Sequence, residues 1–196
     1  MKNRIIQEAK EQYMKFGYGK VTMDEIALEL GISKKTLYNH FEGKEALLFE
    51  VINQLKTEFE GDIQKIENNP PEDFKQEIES VLSVLGNWIS RLSNFLPDLK
   101  RSMPQAYELL VKYRNDVVLS HGMTILKKGE HLGYVRDGAK SNLALFVFLI
   151  AAEKISESKY LQAVPNEMAS GFDTQPQPFL KSVLELLYEG LKPENQ

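Results

Sequence analysis

The chain has 196 residues, 24 Lys and Arg against 28 Asp and Glu, and no Cys. That length suits one large helical domain, or a small domain built onto a larger one, and the absence of Cys excludes a disulfide framework and a thiolate metal site, in keeping with a reducing cytoplasm. The longest apolar run, Leu143 to Ala152, has ten residues, too few to cross a bilayer, and the opening MKNRIIQEAK carries no secretory apolar core.

A net charge of −4 argues at first against a nucleic-acid partner. The distribution matters more than the sum. From Ser33 to Lys44 there are three lysines and one acid, whereas from Gly61 onward 15 basic residues stand against 18 acidic ones. A basic patch on an acidic body restricts DNA contact to one face.

In chain order, residues 2–16 read as a first helix, with Ile5, Ile6, Ala9, Tyr13 and Phe16 at helical spacing and Gly17 and Gly19 ending it. Thr22-Met23-Asp24-Glu25 is a capping box that opens a second helix. Ile26, Ala27 and Leu30 fall on its inner face, and Gly31 follows where a left-handed residue closes the helix. Ile32 plugs the turn and Ser33 is the N-cap of a third helix. That helix turns Leu37, Tyr38 and Phe41 inward and leaves Lys34, Lys35, Thr36, Asn39 and His40 elsewhere. Helix, Gly-containing turn and helix is the helix-turn-helix pattern, whose second helix enters the DNA major groove. The bland alternative is a helical hairpin whose lysines are a solvated face. Against it stands the gathering of hydroxyl, amide, imidazole and two lysines on one short helix, donors suited to phosphates and base edges.

Gly43 caps a fourth helix, less favourably than Ser or Asn would. Leu48, Val51, Ile52, Leu55, Phe59, Ile63 and Ile66 mark it from Lys44 to about Glu67. Asn68-Asn69-Pro70-Pro71 breaks the chain. A long helix is expected from about Glu72 to Asn94, a short piece from Phe95 to Ser102, and another long helix from Pro104 to Leu132 closed by Gly133. Tyr134-Val135-Arg136 reads as a short extended bridge. Ser141 to Glu157 is a very apolar helix, 159–176 a loop, and Pro178 to Leu191 a last helix whose Phe179, Leu180, Val183, Leu184, Leu187 and Leu191 form a wide apolar face.

No phosphate-binding glycine loop, dinucleotide fingerprint or nucleophile elbow is present. His121 and His131 lie ten residues apart in one helix, too far to share a metal. No catalytic residue, metal or cofactor is expected. Trp88, Phe95, Met103, Tyr107, Tyr113, Met123, Phe146 and Phe148 read individually as core; collectively they suggest an apolar cavity between helices.

The N-terminal segment resembles the signature of the TetR family of transcriptional regulators. The resemblance rests on Thr22, Ile26, Ala27, Gly31, Ser33, Thr36, Leu37, Tyr38, His40, Phe41, Lys44, Glu45 and Leu48, in order and without a gap, and covers residues 1 to about 50. The remainder fits in length and helical character alone. The resemblance implies an all-α fold of about nine helices. Residues 1–46 would form a helix-turn-helix DNA-binding domain of three helices, and 47–196 a helical effector-binding and dimerisation domain.

Its DNA face would carry Thr22, Ser33, Lys34, Lys35, Thr36, Tyr38, Asn39, His40 and Lys44. Of these, Lys35 and Thr36 face the groove most directly. His40 and the Tyr38 hydroxyl would reach phosphates, the Tyr38 ring packing on the first helix. Lys44 sits at a helix start, where ammonium and free N–H groups both suit a phosphate. An effector pocket would draw on Trp88, Phe95, Met103, Tyr107, Tyr113, His121 and Phe146. A homodimer through the last two long helices would match a palindromic double-stranded operator. The expected function is a cytoplasmic repressor released by a small molecule, with no membrane partner. Two alternatives remain open: a DNA-binding dimer without an effector, and a helical ligand-binding protein or enzyme carrying a helix-turn-helix look-alike.

Overall fold

The computed structural model describes residues 1–92, 95–136, 138–155 and 163–191. They form ten helices: α1 Lys2–Phe16, α2 Met23–Glu29, α3 Lys34–His40, α4 Lys44–Asn68, α5 Phe74–Leu92, α6 Phe95–Ser102, α7 Pro104–His131, α8 Ala139–Ile155, α9 Asn166–Ala169 and α10 Pro176–Leu191. No strand occurs among the described residues, and the fold is all-α.

Element ends follow local chemistry. α5 starts at Phe74 rather than Glu72 because Asp73 caps it, its Oδ1 accepting the Lys75 N–H at 3.2 Å. α10 starts at Pro176 rather than Pro178, so both prolines sit in the first turn, where a missing N–H costs nothing. α9 interrupts the expected loop of 159–176, of which 159–162 lie outside the described residues. The expected helix ends at Asn94 and Glu157 lie outside them too. Tyr134 to Arg136 is not an extended bridge. After Gly133, the N–H groups of Tyr134 and Val135 both donate to the Gly129 carbonyl, at 2.9 and 3.2 Å, which makes a tight turn.

Close contacts divide the chain into two units, residues 1–64 with 94–110 and residues 65–93 with 111–196. The boundary expected after residue 46 falls inside the first of these units. In the first unit, α1 buries Ile5, Ile6, Ala9 and Tyr13, α2 buries Ile26 and Ala27, and α3 buries Leu37. The first turns of α4 add Leu47, Leu48, Val51, Ile52 and Leu55, which tie that helix to the same core. Lys10, buried on α1, is paired with Glu58 of α4, and Lys2 reaches Glu50 at 2.6 Å. A buried charge is tolerated only when paired. α6 packs on α1 through a face of Phe95, Leu96 and Leu99.

In the second unit, α10 lies against α5 and α8. Phe74, Ile78, Ile125, Val135, Ala144 and Leu191 form its buried cluster, and Phe74 stacks on Tyr134 with ring centroids 5.2 Å apart. α8 is apolar on opposite faces. Ala144, Leu145 and Phe148 are buried, while Leu143, Phe146, Val147 and Ile150 are open to solvent. No described helix is long and apolar enough to cross a membrane.

Candidate nucleic-acid interface

The capping box at the start of α2 is complete. Glu25 N–H donates to Thr22 Oγ1 at 3.2 Å, and Glu25 Oε2 accepts the Thr22 N–H at 2.7 Å and the Thr22 hydroxyl at 2.8 Å. Hydrogen bonds from the Thr22 hydroxyl and then its N–H hold the Glu25 carboxyl below its ordinary range. The far end of α2 closes on Gly31, φ 64°. Ile32 N–H returns to the Ala27 carbonyl at 3.0 Å and Gly31 N–H to Leu28 at 3.0 Å, a paired closure that needs a left-handed residue. Ser33 then caps α3, its Oγ accepting the Thr36 N–H at 3.0 Å.

These caps fix which residues of α3 point outward. Leu37 and Phe41, four apart, are buried, and Lys34, Lys35, Asn39 and His40 are exposed. Tyr38 departs from the expected placement. It is 50 % exposed, because it lies about 100° round the helix from Leu37 and the inner stripe is already filled. Thr36 is half-buried, with its hydroxyl 2.8 Å from that of Ser33. The Thr22 oxygen is engaged in the cap and Lys34 in an ion pair with Asp24, although the Lys34 side chain stays largely in solvent. Among the described residues, no ion pair engages Lys35.

Lys44 is turned inward. Its Nζ donates to the Tyr18 carbonyl at 2.5 Å and lies 4.2 Å from the Tyr18 ring centre. Burial lowers its pKa from the ordinary value, against the pull of Asp98 and Glu25.

The seven residues expected to line an effector pocket fall in both units. Phe95, Met103 and Tyr107 belong to the first, where Phe95 is core and Tyr107 lies under Lys100 at 5.4 Å. In the second, Trp88 is buried edge-on to Tyr113, centroids 5.9 Å apart, and His121 Nδ1 lies 3.2 Å from Glu67. Phe146 is 59 % exposed, on the side of α8 away from the core. None of these four lines the apolar cavity of the second unit. That cavity, of about 70 Å³, is walled by Ile78, Val81 and Leu85 of α5, Val118, Gly122, Ile125 and Leu126 of α7, Ala144, Leu145 and Phe148 of α8, and Leu184, Leu187, Tyr188 and Leu191 of α10. These are mostly plain aliphatics at helical spacing, which a search for aromatic residues passes over.

A capped helix-turn-helix whose second helix presents donors to solvent defines a DNA-reading head. Residues 5–51 match the family model described as bacterial regulatory proteins, tetR family. The chain is 27% identical to an uncharacterized HTH-type transcriptional regulator, YerO, of Bacillus subtilis (strain 168), over 79% of this chain. The chain spans 60% of the length of that relative. In fold it is similar to a TetR-family transcriptional regulator from Agrobacterium tumefaciens, with TM-score 0.72, 16% identity and coverage of 98% of this chain and 97% of the other. It is likewise similar to SmeT, solved as a complex with triclosan, with TM-score 0.66, 14% identity and coverage of 99% and 92%.

Proposed function

We propose that the chain is a homodimeric, sequence-specific transcriptional regulator acting in the cytoplasm, a repressor that leaves its operator when a small molecule enters its helical body. The observation that carries this reading is the division of α3 into a buried stripe, Leu37 and Phe41, and an exposed set, Lys35, Tyr38, Asn39 and His40. The exposed groups donate to phosphates and base edges. Seven helical residues read only a few base pairs, so two copies on a palindromic operator supply the selectivity. The open stripe of α8, Leu143, Phe146, Val147 and Ile150, supports pairing of two copies there, and Leu186 of α10 is exposed as well.

The test is operator binding measured across salt concentrations. Wild type should lose affinity linearly on a log–log plot. Lys35→Ala should cost about 1–3 kcal/mol per half-site and change the preferred base at a defined position, as read by selection from randomised DNA. Salt-insensitive binding, or an unchanged preferred sequence in both Lys35→Ala and Thr36→Ala, would sink the reading.

The structural neighbour solved with triclosan supports a small-molecule site in the body, and the wall of the cavity suits an apolar effector. The volume of that cavity, about 70 Å³, favours a second reading, an operator-binding dimer without an effector, since ligand pockets span roughly 300–1,000 Å³. Apolar compounds found by thermal shift, titrated with and without operator, separate the two. An inducer binds more weakly by the factor by which it weakens the operator. Equal binding in both titrations favours the second reading.

A further inference from the structure

An ion pair joins the first turn of α2 to the first residue of α3. Lys34 Nζ donates to Asp24 Oδ2 across the turn between the two helices. Both side chains stay in solvent, Lys34 67% and Asp24 55% exposed. Glu25, beside Asp24, is already spent on the Thr22 N–H and hydroxyl and cannot take its place. Among the described residues no ion pair engages Lys35. Of the two adjacent lysines of α3, one is held by a carboxylate and the other is not.

The fold does not depend on this pair. An ion pair so open to water contributes little to stability, and Thr22, Gly31 and Ser33 close the two helices without it. Its place is what matters. In a helix-turn-helix the first residues of the second helix reach base edges, while the first helix crosses the phosphate backbone. That geometry sets Lys34 toward base edges and Asp24 beside the backbone. The Asp24 carboxylate fills the position on the ammonium group that a phosphate oxygen would otherwise take, and its own charge repels phosphates.

Sequence-independent binding is carried by contacts between cations and phosphates. On such DNA, Lys34 would only exchange one oxyanion for another and gain nothing by leaving Asp24. An operator that seats α3 in its major groove offers something different, a base edge with acceptors set for a cationic donor, such as the O6 and N7 of guanine. We propose that Asp24 is a specificity-determining residue: it withholds Lys34 from the phosphates of non-operator DNA and yields it to a base edge of the operator, so that this lysine adds to specific binding alone. The proposal rests on the reading of the chain as a dimeric operator-binding regulator.

The test compares wild type and Asp24→Asn, as full chains, on two probes: the duplex that wild type selects from randomised DNA, and a mixed-sequence duplex of equal length. Wild type that selects no sequence would defeat the regulator reading itself, and the proposal with it. Asp24→Asn should bind the mixed duplex about tenfold more tightly at low salt, with the slope of log affinity against log salt steeper by roughly 2, one freed lysine in each copy of a dimer. Its affinity for the selected duplex should rise much less, so the ratio of the two affinities falls. An unchanged affinity for the mixed duplex, or an equal rise on both duplexes, overturns the proposal, the equal rise showing mere relief of charge repulsion. A second measurement follows the ammonium resonance of Lys34 in isotope-labelled wild type, assigned with Lys34→Ala. It should keep its free-protein position on the mixed duplex and move on the selected one. A resonance that moves alike on both, or on neither, overturns the proposal.

Discussion

Lys44 stands at the first position of α4, where a helix N-terminus and an ammonium group both suit a phosphate. Its Nζ is instead spent on the Tyr18 carbonyl and ring. Lys44→Ala should therefore lower stability by roughly 1–2 kcal/mol from the lost hydrogen bond and ring contact, seen as an earlier thermal unfolding. The slope of log affinity against log salt should change by well under the roughly 2 units expected if two phosphate contacts were lost from a dimer. A slope shallower by the full 2 would return Lys44 to the DNA face. A second residue-scale expectation concerns acid. The Asp98 and Glu25 carboxyls both lie below their ordinary values in the folded chain. The unfolded chain thus binds more protons as pH falls through the ordinary carboxylate range near 4, and folding weakens from there down through the folded pKa values. Asp98→Asn should flatten that acid limb in urea titrations taken from pH 6 to 3, and a limb as steep as wild type would refute the assignment. The caps, Thr22, Gly31 and Ser33, were legible in the sequence because each acts on backbone within three or four residues. The outward placement of Tyr38 and the partner of Lys44 were not, because tertiary neighbours decide them.

At the scale of elements, the apolar periodicity located every long helix, and the differences lie at their ends, where one carboxylate or two prolines move a boundary by two residues. Periodicity also marks a face as apolar without saying what covers it. The stripe of α10 illustrates this: Leu180, Leu184 and Leu191 are buried within the chain against α5 and α8, whereas the exposed apolar residue is Leu186. The exposed apolar face lies mainly on α8, whose apolar residues fall on opposite sides, so no direction could be read from them. Phe146→Glu adds a charge at a solvent-exposed position, so the monomer should keep its helical content and melting behaviour. The dimer should dissociate in sedimentation runs, and operator affinity should fall with it. A Phe146→Glu protein that sediments as a dimer would move the interface elsewhere.

On the scale of the whole molecule, α6 is near α5 in sequence but packs with the reading unit, so it belongs with the head although it follows the first body helix. No local pattern announces that, because it depends on contacts between residues some eighty positions apart, such as Asp98 with Gly19. The basic α3 on an acidic chain was legible, since charge is written residue by residue. The cavity wall was not, because it is assembled from four helices of ordinary aliphatic residues.

A void of about 70 Å³ admits only a few heavy atoms. Under the proposed function, a ligand too large for this cavity would be seated only once α5, α7, α8 and α10 shift apart. The observed rate would rise with ligand at low concentration and flatten at the opening rate. Trp88, the sole tryptophan, lies one turn beyond Leu85 of the cavity wall and offers the signal. Stopped-flow mixing with an apolar ligand should show that plateau, and Val118→Ala, which loosens the wall, should raise it. A rate that climbs linearly throughout would mean an already open site. Under the proposed function, such a plateau would make ligand capture limited by the parting of the helices and not by encounter.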